Sequence, residues 1–155
     1  MRLNLYLTLA ILLALLGCGN NSSQRPINLS GHWTATLQKA NGTTAFSFTS
    51  SITEVAGTVL NVSNVAFNPA TSCFQSQISA SGVTRFSSGG YGYYTGGGGV
   101  TAMSLTVKGV ASGGGTSTLN LQGTANPDRS VSGTWTLTGV SATCSGSGSF
   151  IMTKS

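Results

Sequence analysis

Few side chains in this chain of 155 residues are equipped for chemistry. There is one histidine (His32), one aspartate (Asp128), one glutamate (Glu54) and three cysteines (Cys18, Cys73 and Cys144). A serine hydrolase would need His32, Asp128 and one of the serines to converge. However, no Gly-x-Ser-x-Gly stands between a strand and a helix, and Gly146-Ser147-Gly148 lies in the approach to a strand. A glycosidase would need Glu54 and Asp128 to face one cleft. Asp128 sits in Asn126-Pro127-Asp128-Arg129, which reads as a turn where Asp bonds local backbone. Glu54 falls between two predicted strands. A zinc site wants four ligands, and two carboxylates are too few for a calcium cage. No Gly-Lys-Ser/Thr phosphate loop occurs. The expectation is therefore no enzyme, no metal and no cofactor.

The third cysteine has a different context. Met1-Arg2 is a short positive start, and Leu3 to Leu16 is apolar apart from Asn4 and Thr8. Those 14 residues are too short for a membrane-spanning helix, which needs about 20. This is the pattern of an export signal. Its end, Leu15-Leu16-Gly17-Cys18, resembles the lipobox of bacterial lipoproteins, with Leu16 a departure from the small residue usual there. The resemblance implies cleavage before Cys18, diacylglyceryl modification of its thiol and acylation of its amine. Several acyl chains anchor durably where one does not. The family's sorting rule, with Gly19 where an Asp would retain the protein in the inner membrane, implies the outer membrane of a Gram-negative cell. The alternative is a plain signal peptide with an incidental cysteine. The domain expectation is a signal at 1–17, the lipidated Cys18 with a flexible tether at 18–28, and an all-β domain at 29–155.

With Cys18 lipidated, Cys73 and Cys144 remain as an even pair in an oxidising compartment, and a disulfide is expected. It would close a long loop and stabilise the fold by about 4 kcal/mol. Two free thiols or a metal site are the alternatives. The mature chain carries six basic and two acidic residues once Arg2 is removed. The basic residues are isolated, whereas nucleic-acid binding needs them clustered; no nucleic-acid partner is expected.

The elements that must position these groups are strands. Glycine, serine and threonine contribute 22, 23 and 21 residues, and after Cys18 no window shows helical periodicity. Alternation is frequent instead. Leu29, Gly31, Trp33, Ala35 and Leu37 share one face, with His32 on the solvent side. Phe46, Phe48 and Ile52 repeat the pattern after Asn41-Gly42, a hairpin signal. Further strands are expected at Val55–Val65, Cys73–Ala80, around Met103–Val107, Leu119–Leu121, Val131–Leu137 and Phe150–Met152. Eight antiparallel strands fit a small barrel or a sandwich. With few Lys and Pro to guard an edge, closure favours the barrel. In a simple meander the fourth and eighth strands lie opposite each other. Cys73–Cys144 must then staple loops at one rim; otherwise the strand order is a Greek key.

Ser30-Gly31-His32-Trp33-Thr34-Ala35-Thr36-Leu37 and Ser132-Gly133-Thr134-Trp135-Thr136-Leu137-Thr138-Gly139 agree at five of eight positions. A Gly two residues before a Trp at the start of the first strand resembles the lipocalin and avidin-like (calycin) barrels. The resemblance implies that Gly31 permits a tight start and that Trp33 packs across the closed end, with Gly133 and Trp135 a second copy. Lys154 or Arg129 stands for the basic residue that covers the Trp in lipocalins.

Residues 83–99 are expected to form a long loop or frayed hairpin. Within it, 87–99 holds seven glycines and three tyrosines, Tyr91, Tyr93 and Tyr94. It reads as a binding flap or as a plain linker, the latter favoured because consecutive glycines make a preorganised site costly in entropy. Two functions follow. The first is a non-catalytic, lipid-anchored envelope protein binding a small apolar or glycan ligand in the barrel, with Tyr91, Tyr93, Tyr94, Trp33 and Trp135 as candidate contacts. The second is a structural envelope protein with a filled barrel and protein partners. Small inward residues (Gly31, Ala35, Ala80, Gly133, Gly146 and Gly148) would make room for a ligand or would narrow a filled barrel.

Overall fold

In a computed structural model, residues 28–55, 59–86, 101–126 and 128–155 are described. They form eight strands: β1 (Gly31–Lys39), β2 (Thr44–Val55), β3 (Val59–Asn68), β4 (Ser76–Phe86), β5 (Thr101–Val110), β6 (Thr116–Ala125), β7 (Val131–Thr138) and β8 (Gly146–Lys154). Each pairs antiparallel with the next, and β8 returns to β1, closing a barrel in simple meander order. The barrel expectation holds, and the Greek key and the sandwich are excluded.

Local chemistry sets the turns. In the β1–β2 hairpin, Asn41 Oδ1 accepts from the Thr43 N–H at 3.1 Å while Gly42 takes φ +80°. A side-chain acceptor two residues upstream and a residue tolerant of positive φ are what such a turn needs. The β5–β6 hairpin closes with Ala111 N–H to Gly115 O at 3.0 Å.

Two strand boundaries differ from expectation. Val55 ends β2 instead of opening the third strand, so Glu54 lies within a strand and not between two. The fourth strand starts at Ser76 and runs to Phe86, which leaves Cys73 in the preceding connection and assigns 83–86 to β4. The signal peptide, Cys18, most of the tether and Tyr91, Tyr93 and Tyr94 lie outside the described residues.

The alternating faces are those of a barrel wall. Trp33, Ala35, Leu37, Phe48, Leu105, Leu121 and Met152 point inward and are buried, while His32 is exposed. At Asn64, with φ +53°, β3 bulges and its register against β2 shifts between Thr49 and Ser51. The extra residue reverses the alternation. Leu60 and Val62 face inward before the bulge; Val65 and Phe67 pack against the core after it.

Large inward residues sit beside glycines. Gly82 lies between Leu60 and Leu105 in register, and a Cβ on it would stand 3.2 Å from that of Leu60. Gly123 pairs with Gly133 under the Phe150 ring, whose Cζ would be 2.8 Å from a Gly123 Cβ. Trp135 lies over Gly146 and Gly148, with Cη2 3.2 Å from one Cβ position and Nε1 2.9 Å from the other. The glycines thus receive bulky neighbours across the ladder, and the axis is packed with side chains.

Candidate functional site

The rim where the chain enters at Asn28 is plugged. Leu29 is buried across this N-terminal rim. Glu54 Oε1 accepts from its N–H at 2.6 Å, and Trp33 Nε1 donates to its carbonyl at 2.7 Å. Ser30 Oγ accepts from the Glu54 N–H at 2.9 Å, locking the plug to the end of β2. Lys154 pairs with Trp33 across the β1–β8 ladder, lies over Gly31 and donates to the Asn28 carbonyl at 3.4 Å. Gly31, with φ +142°, leaves the space that Lys154 fills. Trp33 is 1% exposed and lies beneath the Leu29 plug at the closed end.

Trp135 occupies the opposite rim. It aligns with Gly148, which aligns in turn with Lys39, whereas Trp33 aligns with Lys154. The stagger of strands around a barrel therefore places the two similar segments at opposite ends. Trp135 Nε1 donates to the Gln38 carbonyl at 2.9 Å. Phe46 meets its ring edge-on at 5.8 Å; Phe67 in turn meets Phe46 at 5.7 Å and stacks on Phe74 at 4.6 Å.

A disulfide between Cys73 and Cys144 ties the β3–β4 connection to the short 3-10 turn Ala142–Cys144 before β8, with Cα atoms 5.5 Å apart. Both cysteines are in connections at this far rim, so a rim staple and a meander coexist as the sequence allowed. The two tied segments flank a cleft of about 520 Å³. Phe46, Trp135 and Leu137 line its base; Pro69 to Cys73 and Ala142, Thr143 and Ser145 line its sides, with Lys39 also present. The volume falls within the ~300–1,000 Å³ of small-molecule sites. An aromatic base with nearby hydroxyls and one cation suits a flat apolar ligand, a sugar ring or a small anion.

A second cleft of about 370 Å³ runs between β3 and β4, lined by Val65, Phe67, Phe74 and Ile78 among others. It lies beyond the positions where β3 and β4 pair among the described residues, Val59 with Val83, Leu60 with Gly82 and Asn61 with Ser81.

The histidine and the two carboxylates are engaged locally. His32 Nδ1 lies 3.1 Å from Ser51 Oγ on the outer wall, and Asn64 Nδ2 donates to the same oxygen at 3.3 Å. Asp128 Oδ1 accepts from Ser130 Oγ at 2.6 Å and from its N–H at 2.9 Å. The hydroxyl bond first and the backbone bond second hold the Asp128 carboxyl below its usual value. Glu54 belongs to the plug. Among the described residues there is no group of three or more His, Cys, Asp and Glu able to hold a metal ion.

Of the candidate contacts among the described residues, Trp33 and Trp135, Trp135 borders the far cleft. Phe46 is legible in the sequence as an inward residue offered, with Phe48, Met103 and Trp135, as cavity lining, whereas Lys39 is not singled out there. The signal available for them was their position flanking the Asn41-Gly42 turn, at the same end as the expected disulfide. The fold and site define an eight-stranded antiparallel meander barrel with a packed axis, a plug at one rim and a disulfide-tied cleft at the other. No protein family, curated protein or solved structure matches the chain.

Proposed function

We propose that this chain is a non-catalytic, lipid-anchored protein of the bacterial outer membrane that binds a small apolar or glycan ligand at the far rim of its barrel. The observation that carries the reading is the cleft of about 520 Å³ based on Phe46 and Trp135. The lipobox-like Leu15-Leu16-Gly17-Cys18 supports the anchor, and Gly19 supports outer-membrane sorting. The calycin likeness is supported by Gly31 and Trp33 at the closed end and by Lys154 lying across that glycine. The site moves from the barrel axis to the rim because the axis is filled, and catalysis has no support in the local engagement of His32, Glu54 and Asp128.

Binding is tested by saturation-transfer NMR with a panel of mono- and disaccharides and the aromatic anion anilinonaphthalene sulfonate, comparing wild type with Phe46→Ala. Saturable binding lost in the variant is the expected result. Absence of binding across the panel would favour the second reading, a structural envelope protein with protein partners, to which the packed axis already points.

A further inference from the structure

We propose that the outer wall at the N-terminal rim, centred on Val55, Val59 and Val83, is a membrane-contact surface that holds the barrel with its far cleft turned away from the bilayer. The inference rests on the lipid anchor at Cys18 and adds an orientation to it.

The three valines form one cross-strand row. Val55 pairs with Val59 at the β2–β3 turn, and Val59 pairs with Val83 on β4. They are 47%, 49% and 36% exposed. A contiguous apolar group marks a contact surface more than single exposed residues such as Ile78 and Ile151 do. The next outward row, Thr53, Asn61 and Ser81, is polar and uncharged. The surface thus grades from apolar at the rim to neutral and polar one step along the wall, as the boundary between acyl chains and headgroups does.

The path of the chain names the occupant. Leu29 is tied to Glu54, the residue before Val55, and Asn28 to Lys154. Asn28, the first described residue, therefore stands at the same rim as the valine row. Ten peptide steps separate Cys18 from Asn28, a reach of at most about 36 Å. An acylated Cys18 keeps this rim near lipid, yet a tether of that length does not fix the attitude of the barrel. The valine row does. Once it meets the interface, the Cys73–Cys144 rim points towards solvent, where a soluble ligand has access.

The test uses the full chain, exported by a bacterium and placed in vesicles of phosphatidylethanolamine and phosphatidylglycerol. Mass analysis of the N-terminal peptide reads the modification of Cys18. A polarity-sensitive dye at Thr53→Cys reports the wall, and one at Asn41→Cys reports the far rim. The wall dye is expected to shift to the blue and to be quenched by nitroxide-bearing lipids, with the far dye remaining in water. In V55S/V59S/V83S, still acylated, quenching of the wall dye is expected to fall about tenfold. An acylated protein whose wall dye stays in water overturns the orientation and leaves the anchor standing. An unmodified Cys18 overturns the anchor and the orientation with it. A blue shift already present without vesicles, with the mass of a dimer, shows a second copy on the valines and also overturns the proposal.

Discussion

Glu54 shows how much a single residue carries in a chain so poor in charge. Its carboxylate accepts the Leu29 N–H at 2.6 Å, and a hydrogen bond to a charged acceptor contributes about 1.5–3 kcal/mol. Glu54→Ala should therefore lower the stability measured by urea unfolding by about 2 kcal/mol and speed hydrogen exchange at the Leu29 amide. Unchanged exchange would show that the plug does not depend on Glu54. Asp128 offers a pH test at the same scale. Because Ser130 depresses its folded-state pKa, its contribution is fully present above the unfolded value, about 3.9. That contribution is lost as pH falls through the lower, folded value. Ser130→Ala should raise the Asp128 midpoint followed by carboxyl NMR. A midpoint unmoved by the substitution would mean that other groups set it.

The strands and their glycines carry the next level. A Cβ at Gly148 would collide with the Gln38 carbonyl and stand 2.9 Å from Trp135 Nε1. Gly148→Ala should therefore disrupt the β1–β8 ladder and lower stability by more than about 2 kcal/mol, as overpacking against backbone does. At Gly113 nothing stands within 4 Å of the added atom, and Gly113→Ala should stay within about 0.5 kcal/mol of wild type. Paired denaturation curves check both. The disulfide staples elements far apart in sequence, its cysteines separated by 71 in numbering. The double variant Cys73→Ala/Cys144→Ala should lose about 4 kcal/mol on the chain-entropy account and loosen both sides of the far cleft, seen as faster exchange at 70–75 and 142–145. The strands themselves were legible because alternation, Asn41-Gly42 and the turn clusters are local signals. The ends of β2 and β3 were not. Val55 and Val59 are equally good strand residues, and the Asn64 bulge shows in the sequence only as a shift of the apolar positions from Leu60 and Val62 to Val65 and Phe67. Cys73 falls outside the fourth strand because Phe74 turns inward to stack on Phe67 and pairing with β5 begins only at Ser76.

At the scale of the molecule, closure and filling decide the function. Sequence reasoning reached the barrel through the shortage of edge-protecting residues, and reached the rim staple through the meander geometry. It left open whether the inward glycines made a cavity, because that depends on which large residue faces each glycine across the ladder. Register answers it: Trp135 over Gly148 and Phe150 over Gly123 fill the axis. The repeated Ser-Gly-x-Trp-Thr segment suggested equivalent roles, but strand stagger sends Trp33 to the plug and Trp135 to the cleft. Phe46 and Lys39 border the cleft because they lie at the far-rim end of the β1–β2 hairpin, where Phe46 pairs with Leu37 and Lys39 with Gly148.

Under the proposed function, ligands meet this barrel at its disulfide-tied rim and not along its axis. Mapping amide shifts during a titration with anilinonaphthalene sulfonate tests it most directly. The prediction is saturable shifts at Phe46, Thr71–Cys73, Leu137 and Thr143–Ser145, with Ala35, Leu105 and Leu121 unmoved. Shifts centred on Ala35, Leu105 and Leu121 would place the ligand inside the barrel and contradict the account.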